Sequence, residues 1–234
     1  PWSILAITFT NKVANEMRQR VIKMLPEINS DLTIKTFHSF AAQFLRREIG
    51  ILGFPSTFSI LDEEDQTKLI KDIVANMGFK RGDKIVGRAI GYISKNKIRE
   101  KYPEDIKIDK PTFEDEKTCL EIYSIYEDEK NKSFSLDFDD LLLRTNLILD
   151  KYPDIRQKWQ RRFNHILIDE FQDTNVVEYR MIKLLQNSNT SLYVVGDPDQ
   201  TIYTWRGANQ NIILDLIKEF SNVETIVLER NYRS

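Results

Sequence analysis

Two short apolar runs each end in side chains able to do chemistry on a charged substrate. His165-Ile166-Leu167-Ile168 leads into Asp169-Glu170, and Leu192-Tyr193-Val194-Val195 leads into Gly196-Asp197-Pro198-Asp199-Gln200. Apolar runs of four to eight residues bounded by turn formers read as buried strands. In an open parallel sheet the carboxyl ends of such strands share one edge, and ligands bind there. A carboxylate at that edge can hold Mg²⁺, usually through its waters, and a second can orient or deprotonate an attacking water. The side-chain amide of Gln200 is suited to sense a terminal phosphate or that water. The bland alternative for Asp169 is a cap on the next helix. Beyond Gln200, Tyr203, Trp205 and Arg206 place two aromatics and a guanidinium in one segment. That combination stacks on unpaired bases and contacts their phosphates, although an aromatic pair near a turn also serves as core.

The elements that must position these residues follow from periodicity. Ile4 to Phe9 is of strand length, and Thr10 or Asn11 can cap a helix running toward Leu25, which Pro26 closes. Leu32 to Thr36 is a second strand candidate. The helix after it, with Phe40, Phe44 and Leu45 at helical spacing, is expected to stop near Gly50. From about Leu61 to Gln160 strands give way to helical patterns at Asp65 to Met77, Lys84 to Lys95, Pro111 to Lys130 and Asp137 to Leu149. Gly78 sits where a helix cap is expected, Pro111 can start a helix, and Pro103 and Pro153 fall in breaks. Strand signals return at His165 to Ile168, Leu192 to Val195 and Val223 to Leu228, separated by helical patterns at Val176 to Leu185 and Asn211 to Phe220. This alternation predicts an α/β fold, a mostly parallel sheet with helices on both faces, interrupted by an all-helical insertion.

Bulk properties exclude several classes. The 234 residues, 41% hydrophobic and 30% charged with 8 Gly and 7 Pro, suit a globular chain and neither a disordered nor a collagenous one. No apolar run approaches the ~20 residues that span a bilayer. One cysteine, Cys119, excludes an intrachain disulfide and a cysteine-based zinc cluster, which fits a reducing cytoplasm. A net charge of −2 carries no case for nucleic-acid binding on its own. Any such case rests on local patterning, such as the basic positions Lys80, Arg81, Lys84, Arg88, Lys95, Lys97, Arg99 and Lys101, which taken alone read first as a solvated helix face.

Six motifs, in order, carry a resemblance across the whole chain. They are Thr8-Phe9-Thr10-Asn11-Lys12, Thr36-Phe37-His38-Ser39, Leu136-Asp137-Phe138-Asp139-Asp140-Leu141, Asp169-Glu170-Phe171-Gln172-Asp173-Thr174-Asn175, the run Gly196 to Ala208, and Leu228-Glu229-Arg230-Asn231-Tyr232-Arg233-Ser234. In these the chain resembles superfamily 1 DNA helicases of the UvrD, Rep and PcrA type. The resemblance implies a RecA-like motor domain, 1A, in two parts, 1–60 and 136–234, with residues 61–135 as the inserted 1B subdomain.

It also implies ATP and Mg²⁺ as cofactors, with Asp169 and Glu170 at the metal and Glu170 as catalytic base. Gln200 and Arg233 would contact the terminal phosphate, and Tyr232 would stack on the adenine. Phe9, Tyr203 and Trp205 would stack on bases of single-stranded DNA, while Thr10, Asn11, His38 and Arg206 fall in segments that line the DNA groove. For His38 a helix-start or core role is the alternative. Ile93-Ser94-Lys95-Asn96-Lys97 falls in the region expected near duplex DNA. The implied activity is ATP-dependent 3′-to-5′ translocation on single-stranded DNA and unwinding at junctions between single and double strands, with no membrane. The motor part of a helicase-nuclease subunit and a non-catalytic DNA clamp are the competing readings.

Two departures stand out. Val13 occupies a position where the family usually has Ala, a volume change that bears on packing. None of the 8 glycines opens the G-x-x-x-x-G-K-[ST] phosphate loop that the family carries upstream of the Ile4 strand. A counterpart of the second motor domain is also missing. The chain therefore reads as cut at both ends and, alone, as unable to turn over ATP appreciably. The strand leading into that loop is expected beside the acid strand Ile166 to Ile168.

Overall fold

The computed structural model describes residues 1–27, 32–80, 84–200, 212–220 and 222–227. In chain order, β1 (Ile4–Ile7), α1 (Asn11–Met24), β2 (Thr33–Lys35) and α2 (Phe37–Glu48) come first. Next follow β3 (Ser59–Ile60), α3 (Glu63–Asn76), α4 (Ile85–Lys97), α5 (Glu116–Lys132) and β4 (Ser135–Leu136). Then come α6 (Phe138–Lys151), α7 (Pro153–Arg162), β5 (His165–Ile168), α8 (Val176–Leu185), β6 (Ser191–Val194) and α9 (Ile212–Glu219). The expected α/β architecture is present, with helices crowded between the two groups of strands.

One parallel sheet has the order β2-β1-β5-β6, with Leu5 opposite Thr33 and Ile166, and Ile168 opposite both Ile7 and Val194. The acid-bearing strand β5 thus has β1 on one side and β6 on the other, which overturns the expectation that it borders a strand from outside these residues. The edge without a partner among the described residues belongs to β6. At the other edge Arg18 of α1 donates to the carbonyls of Leu32 and Ile34 (3.1 and 3.0 Å), tying α1 to β2. No strand forms over Val223 to Val227, where Ile226 and Val227 are 77% and 74% exposed. β-branched residues favour a strand only where a ladder and a packed face await them, and of that segment only Val223 packs against the core.

One face of the sheet is fully covered. Leu5, Ile7, Ile166 and Ile168 pack with Phe40, Phe44 and Leu45 of α2, Leu141, Ile148 and Leu149 of α6 and Ile182 and Leu185 of α8. On the other face Leu167, Tyr193 and Val195 remain exposed, so the helical cover expected on both faces is full on one. A second core lies wholly within α3, α4 and α5 and joins Ile70, Ile73, Val74, Ala89, Ile93, Cys119, Ile122 and Tyr123. The chain leaves and rejoins the first core through β3 and β4, which pair side by side in parallel, Ser59 with Ser135 and Ile60 with Leu136. That two-strand pairing has no counterpart among the strand signals, because two residues carry no detectable period.

Helix boundaries follow side-chain capping. Thr10, Thr36, Asp62, Asp137 and Asn175 each accept a backbone N–H in the first turn of α1, α2, α3, α6 and α8. Gly78 is left-handed, φ +89°, and ends α3 as expected. The stop after α2 moves from Gly50 to Gly53 (φ +79°), because a 3₁₀ turn over Ile49–Leu52 prolongs the helical path. Pro111 does not start α5, which begins at Glu116, whereas Pro153 is the first residue of α7. Among the described residues no helix is long and apolar enough to cross a membrane.

Candidate functional site

Three strand ends converge at the carboxyl edge of the sheet. The backbone ladder continues one step past each strand: Thr8 N–H donates to Lys35 O (3.0 Å), Asp169 N–H to Ile7 O (2.9 Å) and Val195 N–H to Ile168 O (2.8 Å). These bonds fix where Thr8, Asp169 and Gly196 emerge. Asp169 is half-buried, and its Oδ2 accepts the Thr8 hydroxyl at 3.3 Å. Glu170 is exposed and holds a left-handed backbone, φ +52°, sparsely populated for a residue with a side chain. Such conformations persist where the surroundings impose them, and they concentrate at functional sites. Here the imposed feature is the abrupt turn from β5 into the 3₁₀ turn at Phe171–Asp173, anchored by Phe171 N–H on Val195 O (2.9 Å).

Gln172 is the connector. It is 2% exposed, its Nε2 donates to Glu170 Oε2 at 2.7 Å, and its Oε1 accepts Asp197 N–H at 3.1 Å. One buried amide therefore aims the Glu170 carboxylate and seats the turn after β6. A Cβ on Gly196 would stand 2.7 Å from that Oε1 and 3.2 and 3.3 Å from the backbone nitrogens of Gln172 and Phe171. Glycine is required there by close approach. Gln200 is exposed and donates from Nε2 to Asp197 Oδ2 at 2.6 Å, so the candidate phosphate sensor rests on the same turn. Gln172 was legible only as part of a motif; its spacing of two from Glu170 is the signal that marks it.

Next to this edge runs a second group. Thr10 caps α1 through Val13 N–H (3.2 Å), and Asn11 begins the helix with its Oδ1 accepting the Ser39 hydroxyl at 2.9 Å. Thr36 caps α2 through Ser39 N–H (3.2 Å), so the first turns of α1 and α2 are bonded to each other. His38 is half-buried and meets the Phe138 ring edge-on, 5.9 Å between centroids. Phe138 is 45% exposed at the first position of α6. Sequence reasoning passed over it, although an aromatic between capping acids is the available signal. Phe9 is half-buried beside this group. The structure thus gathers Thr8, Phe9, Thr10, Asn11, His38, Asp169, Glu170 and Gln200 along one side of the sheet. Tyr203, Trp205, Arg206, Tyr232 and Arg233 lie outside the described residues.

The donor set at Asp169 suits a hard cation: a carboxylate and a hydroxyl, all oxygen, with the Glu170 carboxylate next in the chain. Among the described residues three carboxylates converge only at Glu127, Asp137 and Asp140, and there Lys97 and Lys130 stand where a metal would. Lys97 is 0% exposed, so it is no member of a basic surface; the stretch around it presents Lys84, Arg88, Lys95, Arg99 and Lys101 instead, with Arg88 paired to Asp115.

Comparison with known proteins settles the family. The model of the UvrD/REP helicase N-terminal domain matches residues 1–221. This chain belongs to that family. It is 42% identical over 236 positions to the ATP-dependent DNA helicase PcrA of Bacillus subtilis, and 39% identical over 236 to that of Leuconostoc citreum. The PcrA of Staphylococcus aureus strain Mu50 is 38% identical over 234 positions. Each match takes in 100% of this chain and 31 to 32% of the relative, so the chain spans about a third of the length of the curated relatives it matches.

Proposed function

We propose that this chain forms the first RecA-like motor domain of an ATP-dependent DNA helicase or translocase that moves 3′-to-5′ on single-stranded DNA and opens junctions with duplex. Residues 1–60 and 136–234 make up that domain and 61–135 its inserted helical subdomain, a partition supported by the two separate cores and the β3–β4 pairing. The observation that carries the reading is the linkage Glu170–Gln172–Asp197–Gln200 at the strand ends beside Asp169 and Thr8.

Bound Mg²⁺–ATP would supply the phosphoanhydride to be split and the charge neutralisation that phosphoryl transfer needs. Asp169, with Thr8 behind it, would help to hold the ion, and Glu170 would serve as the base that accepts a proton from water. Gln172 keeps Glu170 aimed. Gln200 and Arg233 would contact the terminal phosphate, so that the turn after β6 would read its presence, and Tyr232 would stack on the adenine. Phe9, Tyr203 and Trp205 stack on bases, Phe138 joins them from α6, and Thr10, Asn11, His38 and Arg206 line the strand's path. In the full-length protein that carries this chain, Glu170→Gln is expected to lower ATP turnover at least about a hundredfold while nucleotide affinity stays within about threefold. Equal loss of binding and turnover would make Glu170 a structural residue and remove the reading.

A further inference from the structure

The boundary between the two cores is ionic. Lys97 ends α4, Glu127 and Lys130 lie on α5, and Asp137 and Asp140 form the capping box of α6, and all five are at most 7% exposed. Asp137 Oδ2 accepts from Lys97 Nζ (2.6 Å), Lys130 Nζ (3.0 Å) and the Tyr126 hydroxyl (2.8 Å). Asp140 accepts from Lys97 at 2.7 Å through Oδ1 and from Lys130 through Oδ2. The two aspartates also cap each other's backbone: Asp140 N–H donates to Asp137 Oδ1 (2.9 Å) and Asp137 N–H to Asp140 Oδ2 (3.1 Å). Glu127 Oε1 lies 3.0 and 2.8 Å from the two ammonium groups but off their hydrogen-bonding directions.

Burial alone would raise the Asp137 carboxyl, yet Lys97 and Lys130 hold it well below the usual range. Burial would likewise lower Lys97, and the charges of Asp140, Asp137 and Glu127 reverse that and raise it. For Glu127 burial and Asp140 prevail over the lysines and push it up.

Charges this deep are costly to assemble, and hydrophobic residues of similar volume would hold two helices together at least as well. What ions add is direction. The turn they grip contains Phe138, the exposed residue between the two aspartates that meets His38. We propose that Lys97 and Lys130 are positioning residues for the DNA groove: by fixing the Asp137–Asp140 turn from the helical insertion, they set the Phe138–His38 pair against the bound strand. This rests on the reading of that side of the sheet as a DNA groove.

The test uses the full-length protein, with single-stranded DNA affinity read by fluorescence anisotropy and folding by thermal unfolding. Phe138→Ala is expected to weaken binding roughly fivefold or more, the scale of losing one stacked base. Lys97→Met should weaken it comparably, and Phe138→Ala should then cost little more, because the ring is already misplaced. The charge-balanced pair Lys97→Met with Asp140→Asn keeps the variant folded; it should recover thermal stability and leave binding weak. If Phe138→Ala and Lys97→Met act additively, or if the balanced pair restores affinity with stability, the lysines serve folding alone and the inference falls. If Phe138→Ala is silent while Trp205→Ala still weakens binding, the inference falls and the groove stands. If neither aromatic matters, the groove reading fails as well.

Discussion

Asp169 and Glu170 follow β5 half-buried and exposed, bonded by one hydroxyl and one amide, whereas Asp137 and Asp140 open α6 almost sealed from water with every oxygen claimed. Both are pairs of acids at the start of a turn, and both stand close to basic or metal-seeking chemistry. The difference lies in what remains unsatisfied. At the sheet edge the protein supplies few donors, so the carboxylates keep capacity for a cation and a water. At the insertion boundary two lysines and a tyrosine consume that capacity, and the acids become fixed points of the fold. A carboxylate's availability, more than its presence, separates a reactive site from a structural one.

The largest effect that would sharpen this comparison is on stability. Lys97→Ala strands buried carboxylates with one ammonium and is expected to cost about 3–5 kcal/mol, while Glu170→Gln stays within about 0.5 kcal/mol, both read by urea unfolding. Similar costs at the two places would break the distinction. A middle-sized effect belongs to Gly196→Ala, whose Cβ meets Gln172 and two backbone nitrogens; an overpacking loss of about 1–3 kcal/mol is expected, with ATP turnover in the full-length protein falling alongside. An unchanged unfolding midpoint there would mean that the turn after β6 yields freely.

The smallest concerns Asp139, half-buried beside Phe138 and pushed up to about 6 by burial and by the Asp137 charge. Its carboxyl binds the proton more tightly folded than unfolded, so its contribution is fully present below about pH 4 and is lost as pH rises through about 6. Asp139→Asn should therefore flatten the fall in stability between pH 4 and pH 7 by about 1 kcal/mol, after allowance for its partial exposure. A slope identical to that of the unaltered protein would show that Asp139 is solvated.

Much of this arrangement was readable from the residues. The strands at Ile4 and His165 and the helix at Val176–Leu185 announced themselves by apolar runs, period and caps. Asp169 and Glu170 were legible because a strand end and a pair of acids coincide in sequence. Strand order was not, since pairing depends on partners far along the chain, and β5 proved to be flanked on both sides. Lys97 was misread as a surface charge because nothing local distinguishes an exposed lysine from one whose partners lie 40 and 43 residues away. Gln172 and Phe138 escaped for the same reason: each acquires its meaning from a contact with another element.

The pairing of β3 with β4 has a consequence for how such a chain can diversify. Neighbouring strands lie about 4.8 Å apart, so the excursion through α3, α4 and α5 departs and returns at almost one point. Its length is then nearly free, because closing a longer excursion costs only about 0.6 kcal/mol for each doubling. Segments could be spliced into or exchanged within it while the sheet edge at Asp169 keeps its geometry, provided that the exchanged piece still delivers two ammonium groups to the first turn of α6. The strand pair acts as a socket, and the lysines are the key that an interchangeable part must carry.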